Sequence, residues 1–414
     1  MGDPAGTILF LTQVYPPDPA AVGQQLADVA ADLAARGRSV TVLTADRGYD
    51  DPNIRYPRHE TRDGVRVVRL PWSSFGKRSM VVRLAGGLSF ILQATLRALL
   101  TRGLSRVVVT TVPVMSPLAG AALALMRRAG VVYWIMDLNP DQLVALDVIK
   151  RGSLLVRALD SCNVVLLRHA AAVIVCDEYM AKRVRYKLDP GDRLHVVTPW
   201  AHDQYLEPMT HDGNPFRVAH VADGRRVVMY SGNHALTNPL GTLLEAAERL
   251  VDDPRLLFLF VGGGAGKKEV ERRRLPNVLS LPYQPLETIK YSLSAADVHV
   301  VTIGSSVVGI VHPCKIYGAM AVGRPILAFG PRQSHVGDIV DKGMGWQLEH
   351  GDVDAAVAAL RVIAELPADA LHAMGARART LLRERFDSRA SRRRVCDIID
   401  ARQLVDGSRR SSFK

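Results

Sequence analysis

A basic segment late in the chain holds a residue suited to binding an anion. Residues 313–325 read PCKIYGAMAVGRP, and a helix is predicted to begin near Lys315. A lysine early in a helix meets the positive end of the helix dipole, which is unfavourable unless an anion lies between them. We therefore predict that Lys315 binds an anionic ligand, with His312 and Ile316 beside it. A solvent-facing lysine is the alternative.

Two aspartates, Asp137 and Asp141, lie in the segment WIMDLNPDQ at residues 134–142. Asp137 follows an apolar strand, so it should lie at the carboxyl edge of a sheet. A carboxylate there can stabilise developing positive charge or accept a proton. The structural alternative is an aspartate that caps a turn shaped by Asn139 and Pro140. Asp141 is the second candidate.

Two glycine-containing loops each follow an apolar strand. In the first, YSGNH at residues 230–234, backbone N–H groups can hold phosphate oxygens, and two side chains can donate as well. Its predicted contacts are Ser231, Gly232, Asn233 and His234. The second loop, GGGAGK at residues 262–267, lacks the P-loop spacing because Lys268 stands where Ser or Thr is required. Gly263 is retained as a contact, with a plain surface turn as the alternative.

Two further positions fit a ligand with a planar ring and a phosphate. Tyr283, in LPYQP, has a flat face that can stack on such a ring, although ordinary packing would also explain it. Gly23 is predicted directly before the first helix, over 24–36, where free N–H groups favour an anion. An ordinary turn is the alternative there.

The elements that must position these residues alternate between strands and helices. Strands are predicted at 7–12, 39–44, 65–70, 106–110, 131–136, 172–176 and 195–198, and again at 226–230, 256–261, 278–281, 298–302 and 325–329. This alternation of strands and helices, in two successive series, predicts an α/β chain with two doubly wound Rossmann-like domains that face a cleft. We place them at residues 1–205 and 206–385. Residues 386–414 should form a helix that crosses back to the first domain, and a tail.

The composition bears on the binding partners and the cellular location of the protein. The chain has 414 residues and a net charge of +12, from 53 Lys and Arg against 41 Asp and Glu, which suits an anionic partner or plain solubility. The four cysteines form no CxxC pair, and the amino terminus lacks the features of a signal peptide. The apolar stretch nearest to a membrane span, residues 79–100, is interrupted by Arg83 and Arg97. A cytoplasmic location is therefore expected.

The order of these motifs resembles the family 4 glycosyltransferases of the GT-B fold, and within them the bacterial exopolysaccharide group of the colanic-acid type. The resemblance spans nearly the whole chain. It is carried by residues 11–44, 133–146, 196–203, 230–250, 258–271, 281–285 and 313–330. Most of the family has two glutamates eight positions apart, where this chain has Ile310 and Gly318. The proline, cysteine and lysine at 313–315 instead resemble the PSK of the exopolysaccharide group.

The resemblance implies a retaining transfer of a hexosyl or N-acetylhexosaminyl group from a UDP- or GDP-sugar to a glycan or polyprenyl-linked acceptor. It places the donor diphosphate at Lys315 and the 231–233 loop, the nucleobase near Tyr283, and the transferred sugar near Asp137. No cofactor and no metal are expected, since basic side chains and helix ends would neutralise the leaving diphosphate.

Residues 72–102 combine aromatic, apolar and basic side chains. Trp72 and Phe75 precede the apolar stretch, which is flanked or interrupted by Lys77, Arg78, Arg83, Arg97 and Arg102. Such a helix could lie on an anionic membrane, or pack against the sheet of the first domain. The first reading predicts a protein at the inner face of the cell membrane.

Three other functions fit parts of the sequence. A nucleotide-sugar epimerase of the same fold would act on the donor without an acceptor. A non-catalytic sugar-nucleotide-binding scaffold would explain the missing glutamates. Nucleic-acid binding is not expected, because the basic runs at 267–268, 272–274 and 392–394 are accompanied by no nucleic-acid motif.

Overall fold

The computed structural model describes residues 6–18, 20–49, 51–76, 80–126, 129–201, 206–221 and 224–401. These residues form two compact units. The first comprises the described residues up to Thr198 together with those from Arg389 onward, and the second runs from Pro199 to Ser388. Within the described part of the chain, no helix combines the length and apolar character needed to cross a bilayer.

The first unit is built on a sheet of eight described strands in the order β3-β4-β2-β1-β5-β6-β7-β8. Neighbours pair in parallel, except that β3 runs antiparallel to β4. The strands are β1 (Thr7–Leu11), β2 (Val40–Ala45), β3 (His59–Arg62), β4 (Val65–Leu70), β5 (Leu104–Thr110), β6 (Gly130–Ile135), β7 (Ala172–Val175) and β8 (Leu194–Val196). The helices are α1 (Ala21–Ala35), α2 (Met80–Leu100), α3 (Ser116–Met126), α4 (Asp141–Ala145), α5 (Leu154–His169) and α6 (Glu178–Lys187).

The second unit has an all-parallel sheet among its described residues, in the order β11-β10-β9-β12-β13-β14. Its strands are β9 (Arg226–Ser231), β10 (Leu256–Val261), β11 (Val278–Leu281), β12 (Val298–Thr302), β13 (Ile326–Phe329) and β14 (Gly345–Leu348). Its helices are α7 (Pro215–His220), α8 (Gly241–Arg249), α9 (Lys267–Arg272), α10 (Ile289–Ser294), α11 (Lys315–Ala321), α12 (His335–Val340), α13 (Val353–Glu365) and α14 (Ala368–Arg385). Short 3-10 turns occur at Gly191–Arg193, Leu286–Thr288 and Ser305–Val307.

The last described helix, α15 (Ser388–Asp400), packs on α1 through an apolar face edged by ion pairs. Its buried side chains are Val395, Cys396 and Ile399. Arg392 pairs with Asp32 at 2.5 Å, and Arg36 pairs with Asp397 at 2.6 Å. These contacts explain why a helix that follows the second unit in sequence belongs to the first unit in space.

Strands whose faces are both covered have continuous apolar runs, which is why most of them could be predicted. Leu256–Val261, for example, is buried along its whole length and was predicted to the residue. The strands β3 and β14 were missed because their sequences, HETR and GWQL, contain no continuous apolar run. The predicted start of α1 was also wrong, since Gly23 lies inside its first turn rather than before it.

Candidate functional site

The loops that carry the predicted ligand-binding residues of the second unit lie at one edge of its sheet. Ser231 ends β9 and residues 232–234 follow it. Gly262 to Gly264 follow β10, Tyr283 follows β11, and Lys315 opens α11 after β12. Because these strands are parallel, their carboxyl ends meet at the same edge. This edge is the usual ligand-binding position in such sheets.

Lys315 lies directly across the glycine of the first loop. A Cβ on Gly232, whose φ is +131°, would lie 2.5 Å from Lys315 Cε. The Lys315 ammonium is 5.4 Å from the centroid of the Tyr230 ring, within the range of a cation–π contact. Only glycine at position 232 leaves room for the lysine in this position.

The Lys315 ammonium has no ionic partner among the residues that the structure describes. Burial lowers the pKa of this amine to about 8, even though part of the side chain stays exposed. Among the described residues, its polar contact is Asn238. With the amide oriented to satisfy both ends, the side-chain oxygen lies 3.3 Å from Lys315 Nζ and the nitrogen donates to Thr302 O at 2.9 Å. A partly desolvated cation without a carboxylate favours the binding of an anion.

The two glycine loops pack closely against each other. A Cβ on Gly262 would lie 2.1 Å from Gly232 O, and one on Gly264 would lie 2.2 Å from Asn233 Oδ1. Both glycines have positive φ, at +135° and +117°. Side chains at these positions would force the loops apart, so the glycines create one continuous surface.

Hydrogen bonds within this surface correct one prediction about the loop. The Gly232 N–H donates to Val261 O at 2.8 Å, and the His234 N–H donates to Gly263 O at 2.7 Å. Neither group is therefore available to hold phosphate oxygens. The N–H groups of Asn233, Gly263 and Gly264 make no hydrogen bond to any described residue, so they are among the backbone donors that remain for a ligand.

The His234 imidazole is buried and neutral. Its Nδ1 lies 3.1 Å from Gly263 O, which places the ring proton on Nδ1 as the donor. Burial lowers the pKa of the imidazole. Its Nε2 is buried with no hydrogen-bond partner in the described part of the chain. The ring can therefore accept a hydrogen bond at Nε2 but has no further proton to donate, unlike the donor that the sequence predicted.

Tyr283 presents an exposed ring beside the second glycine loop. Its side chain is 57% exposed, and a Cβ on Gly263 would lie 3.0 Å from ring atom Cε2. The absent side chain at position 263 thus lets the ring lie close to the loop. Lys267, in contrast, donates to Gly262 O and Leu281 O, both at 2.9 Å, and so ties two strand ends together.

His312 and Ile316, the predicted neighbours of Lys315, have structural contacts. His312 Nε2 lies 2.7 Å from Tyr317 Oη, which in turn lies 2.7 Å from His335 Nε2. The Ile316 side chain is fully buried in the core, and its N–H donates to Pro313 O at 3.3 Å. The structure therefore removes Ile316 from the candidate contacts and shows His312 bound to a buried tyrosine.

In the first unit, Asp137 follows β6 at the carboxyl edge of the sheet. Its side chain is half-buried, and its N–H lies 3.2 Å from Thr111 Oγ1. The edge position predicted from the sequence is therefore correct for this residue. Asp141 lies four residues further on, at the start of α4.

Asp141 is held in an ion pair. Its carboxylate lies 2.9 Å from Lys187 Nζ, and the same ammonium lies 2.5 Å from Asp160. Hydrogen bonds to both carboxylates raise the pKa of Lys187 against the effect of its burial. Asp141 thus links α4 to α6, and this structural role replaces the catalytic one considered from the sequence.

A buried network that the sequence did not reveal supports the Asp137 loop. Tyr133 Oη donates to Asn163 Oδ1 at 2.9 Å, and Asn163 Nδ2 donates to Asn139 O at 2.6 Å. Burial raises the pKa of the Tyr133 hydroxyl, which stays protonated. A lone asparagine in an otherwise amphipathic helix was the only sequence signal for Asn163.

Gly23 serves the first loop of the same unit by allowing close packing. A Cβ there would lie 3.0 Å from Val14 O and 3.1 Å from Tyr15 N. Helix α1 therefore approaches the loop after β1 more closely than a larger residue would permit. This role is one of packing, and it fixes the loop that the sequence placed near a ligand.

The described residues contain no cluster of three or more His, Cys, Asp or Glu side chains suited to a metal ion. The groups that the second-unit edge presents are the Lys315 ammonium, the backbone N–H groups of Asn233, Gly263 and Gly264, and the exposed ring of Tyr283.

Comparison with known proteins identifies the family. Residues 20–200 match the model of the glycosyl transferase 4-like domain, and residues 225–365 match the model of glycosyl transferases group 1. The chain is a family 4 glycosyltransferase with the GT-B fold. The family predicted from the motif order is thereby confirmed, as are the two Rossmann-like units of the fold.

Individual relatives of this glycosyltransferase are distant. It is 27% identical over 270 residues to a protein named as a glycosyltransferase, WbjE of Pseudomonas aeruginosa. That match covers 63% of this chain and 66% of WbjE, so the chain spans just under two thirds of the length of this relative. It is 25% identical over 374 residues to a protein named as a colanic acid biosynthesis glycosyl transferase, WcaI of Escherichia coli K12, over 85% and 91% of the two chains. The crystal structure of Anabaena Alr3699/HepE in complex with UDP and glucose has a TM-score of 0.70 at 16% identity, covering 95% of this chain and 98% of that one.

The contact between Gly232 and Lys315 gives a first testable prediction. In Gly232→Ala the new methyl group would lie 2.5 Å from Lys315 Cε, so the lysine must leave its position. Alanine at a φ of +131° is also strained, by about 1–3 kcal/mol. We expect nucleoside-diphosphate binding to weaken about tenfold, measured by calorimetry. Gly241→Ala, where a Cβ meets nothing within 4 Å, is the control and should bind normally. Equal binding by all three proteins would contradict this role of Gly232.

Proposed function

We propose that this glycosyltransferase moves a hexosyl or N-acetylhexosaminyl group from a UDP- or GDP-sugar to a glycan or polyprenyl-linked acceptor. The product would belong to cell-surface polysaccharide or glycolipid synthesis. The observation that carries the proposal is the Lys315 ammonium, which lies beside the glycine loops without an ionic partner among the described residues. The structural neighbour solved with UDP and glucose supports a nucleotide-sugar donor.

In the proposed donor complex, the diphosphate accepts hydrogen bonds from Lys315 and from the free N–H groups of Asn233, Gly263 and Gly264. The nucleobase stacks on the exposed ring of Tyr283. His234 supports this surface through its contact with Gly263 O, since its buried Nε2 is not exposed to a ligand. This set replaces the glutamates of the family pattern, which are Ile310 and Gly318 in this chain.

In the proposed reaction the acceptor oxygen forms a bond to the anomeric carbon while the bond from that carbon to the diphosphate oxygen breaks. The electron pair remains on the diphosphate, where Lys315 stabilises the new charge. We assign Asp137 to the acceptor half of the reaction. It either accepts the hydroxyl proton, or stabilises the oxocarbenium-like centre while that proton passes to the departing diphosphate. A retaining outcome follows the resemblance. Because Lys315 supplies the positive charge, the proposal requires neither cofactor nor metal, and activity should persist in EDTA.

A thermal-shift screen tests the donor. The protein is heated with UDP-, GDP-, dTDP- and ADP-sugars. The true donor binds only the folded state, so at 100 times Kd it should raise the free energy of unfolding by about 2.7 kcal/mol and thereby raise Tm. Lys315→Ala should show a clearly smaller shift at the same ligand concentration. A donor that binds and is then converted alone to its epimer would favour the epimerase, and a donor that binds without any turnover would favour the scaffold. No shift with any sugar nucleotide would overturn the proposal.

We also propose that α2 lies on an anionic membrane, at the inner face of the cell membrane. The helix has an exposed apolar ridge, spaced at seven and then four residues: Val81, Leu88, Leu92, Leu96 and Leu100. Arg97 and Arg102 are exposed beside it, and Trp72 is 67% exposed just before it. Lys77 and Arg78 lie outside the described residues. Apolar side chains edged by arginine suit the headgroup region of such a bilayer.

Vesicle flotation gives a second prediction. The intact protein should float with vesicles containing anionic phospholipid and should stay at the bottom when they are neutral. Leu92→Glu with Leu96→Glu should abolish flotation because two charges would enter the apolar layer. Val362→Glu, on an exposed position of α13, is the control and should float normally. If the unaltered protein floated with neither kind of vesicle, the proposed membrane contact would be wrong.

A further inference from the structure

The amino edge of the second-unit sheet carries a charged pocket, opposite the donor loops. Charged residues stand just before or at the start of four parallel strands: Arg226 opens β9, Arg255 precedes β10, Asp297 precedes β12, and Arg324 precedes β13 by two positions. Together with Arg217 they line a cavity of about 500 Å³. This volume lies in the range of small-molecule sites.

One carboxylate serves several arginines in this pocket. Asp297 Oδ2 lies 3.1 Å from Arg217 Nη1 and accepts from Val227 N at 2.8 Å, while Asp297 Oδ1 lies 3.1 Å from Arg226 Nη1. Arg255 is matched by its own partner, Asp253, at 2.7 Å. The cluster of Arg217, Arg226 and Arg324 therefore has three positive charges around a single negative one.

Arg324 is the residue of this cluster with unfilled hydrogen-bonding capacity. Its side chain is 5% exposed, and Nη2 donates to Met209 O at 3.1 Å and Ser294 O at 2.8 Å. Its Nη1 makes no hydrogen bond to a described residue, and no carboxylate among those residues lies within 4 Å of the guanidinium. Burial lowers the pKa of this group and the nearby charge of Arg217 lowers it further, against the opposing effect of Asp297.

The same arginine also lines an adjoining groove of about 560 Å³, which includes Arg379. His211 lies in the wall common to both spaces, and burial lowers its pKa to about 4, so it is uncharged near neutral pH. The positive character of the pocket thus comes from guanidinium groups, which stay charged at any physiological pH. Planar guanidinium groups match the oxygens of phosphate in pairs.

We propose that this pocket binds a phosphate-bearing small molecule through Arg324, Arg226 and Arg217, at a site separate from the donor loops. The ligand oxygens complete the hydrogen bonding of Arg324 and balance the charge around Asp297. Since the two sites lie at opposite edges of one sheet and share no residue, both can be filled at once. The proposal does not depend on the identity of the glycosyl donor.

Calorimetry on the full chain tests this site. The Lys315→Ala protein is titrated with inorganic phosphate and with glucose 1-phosphate at constant ionic strength, so that donor-loop binding does not interfere. Binding should be seen, and Arg324→Gln should weaken it about tenfold, because glutamine keeps a donor for the carbonyls but removes the charge. Tighter binding of glucose 1-phosphate would identify an organic phosphate as the occupant, and equal binding would identify free phosphate.

Two further variants keep the test decisive if Arg324→Gln fails to fold. Arg255→Gln, on the exposed wall, should weaken binding about threefold through the loss of one nearby charge. Arg249→Gln removes an exposed arginine of α8 that lies outside the pocket, and it should bind normally. Absence of binding by the Lys315→Ala protein, or an equal loss in Arg255→Gln and Arg249→Gln, would overturn the proposal.

Discussion

Replacing Lys315 with alanine is expected to weaken nucleoside-diphosphate binding about 10- to 100-fold and to lower kcat/KM at least as much. A hydrogen bond from a charged donor contributes about 1.5–3 kcal/mol, and no carboxylate among the described residues competes for this ammonium. The loss should be larger in kcat/KM because charge on the diphosphate grows as the glycosidic bond breaks. Calorimetry and steady-state kinetics measure the two effects separately.

The pH dependence distinguishes a charge effect from a change in shape. Without ligand, the Lys315 side chain has a pKa of about 8, and the diphosphate binds the protonated ammonium. Donor affinity should therefore be nearly constant below pH 7 and fall about tenfold per pH unit well above 8. Lys315→Arg should remove this dependence, since arginine stays charged.

A matched lysine provides the control. Lys268→Ala removes an exposed lysine of α9 and should leave donor binding and kcat/KM unchanged. Unchanged donor binding in Lys315→Ala would show that the candidate donor site is wrongly placed. An equal loss in Lys268→Ala and Lys315→Ala would show only a general effect of net charge.

Replacing Asp137 with asparagine is expected to lower kcat about 100- to 1,000-fold while donor affinity changes little. The substitution keeps the size of the side chain and removes its charge, so any proton transfer or charge stabilisation by the carboxylate is lost. Asp137 lies on a loop held by the buried contacts of Asn163, which limits structural change in the variant. Single-turnover kinetics with saturating donor and acceptor measure the effect.

Asp141→Asn is the control for this prediction because Asp141 lies on the same segment and its carboxylate pairs with Lys187. Its kcat should stay within a few-fold of the unaltered protein, while the melting temperature falls through loss of a partly buried ion pair. Full turnover by Asp137→Asn would remove this residue from the reaction. If a pH profile lost its acidic limb in the variant, proton transfer would be favoured over charge stabilisation.

Much of the fold could be predicted from local pattern. The strands at Val65–Leu70 and Leu256–Val261 lie where their apolar runs predicted, because a strand buried on both faces needs apolar side chains at consecutive positions. The edge strands β3 and β14 lack such runs and were missed. The position of Asp137 after β6 was also accessible, since it follows directly from the end of an apolar strand.

The sequence by itself determined the family, the two α/β units, and the loops that should carry the ligand-binding residues. Only the tertiary structure decided which of those residues can act. In the fold, Lys315 lies across from Gly232, and the Gly232 and His234 N–H groups donate to carbonyl groups. Asp141 pairs with Lys187, and Ile316 is buried. Arg226 and Arg324 line one pocket at the opposite edge of the sheet. The physical reason is that periodicity reports the burial of a segment, whereas these contacts join residues far apart in sequence and depend on strand order. Sheet order and helix packing bring such residues within hydrogen-bonding distance, and local spacing does not encode them.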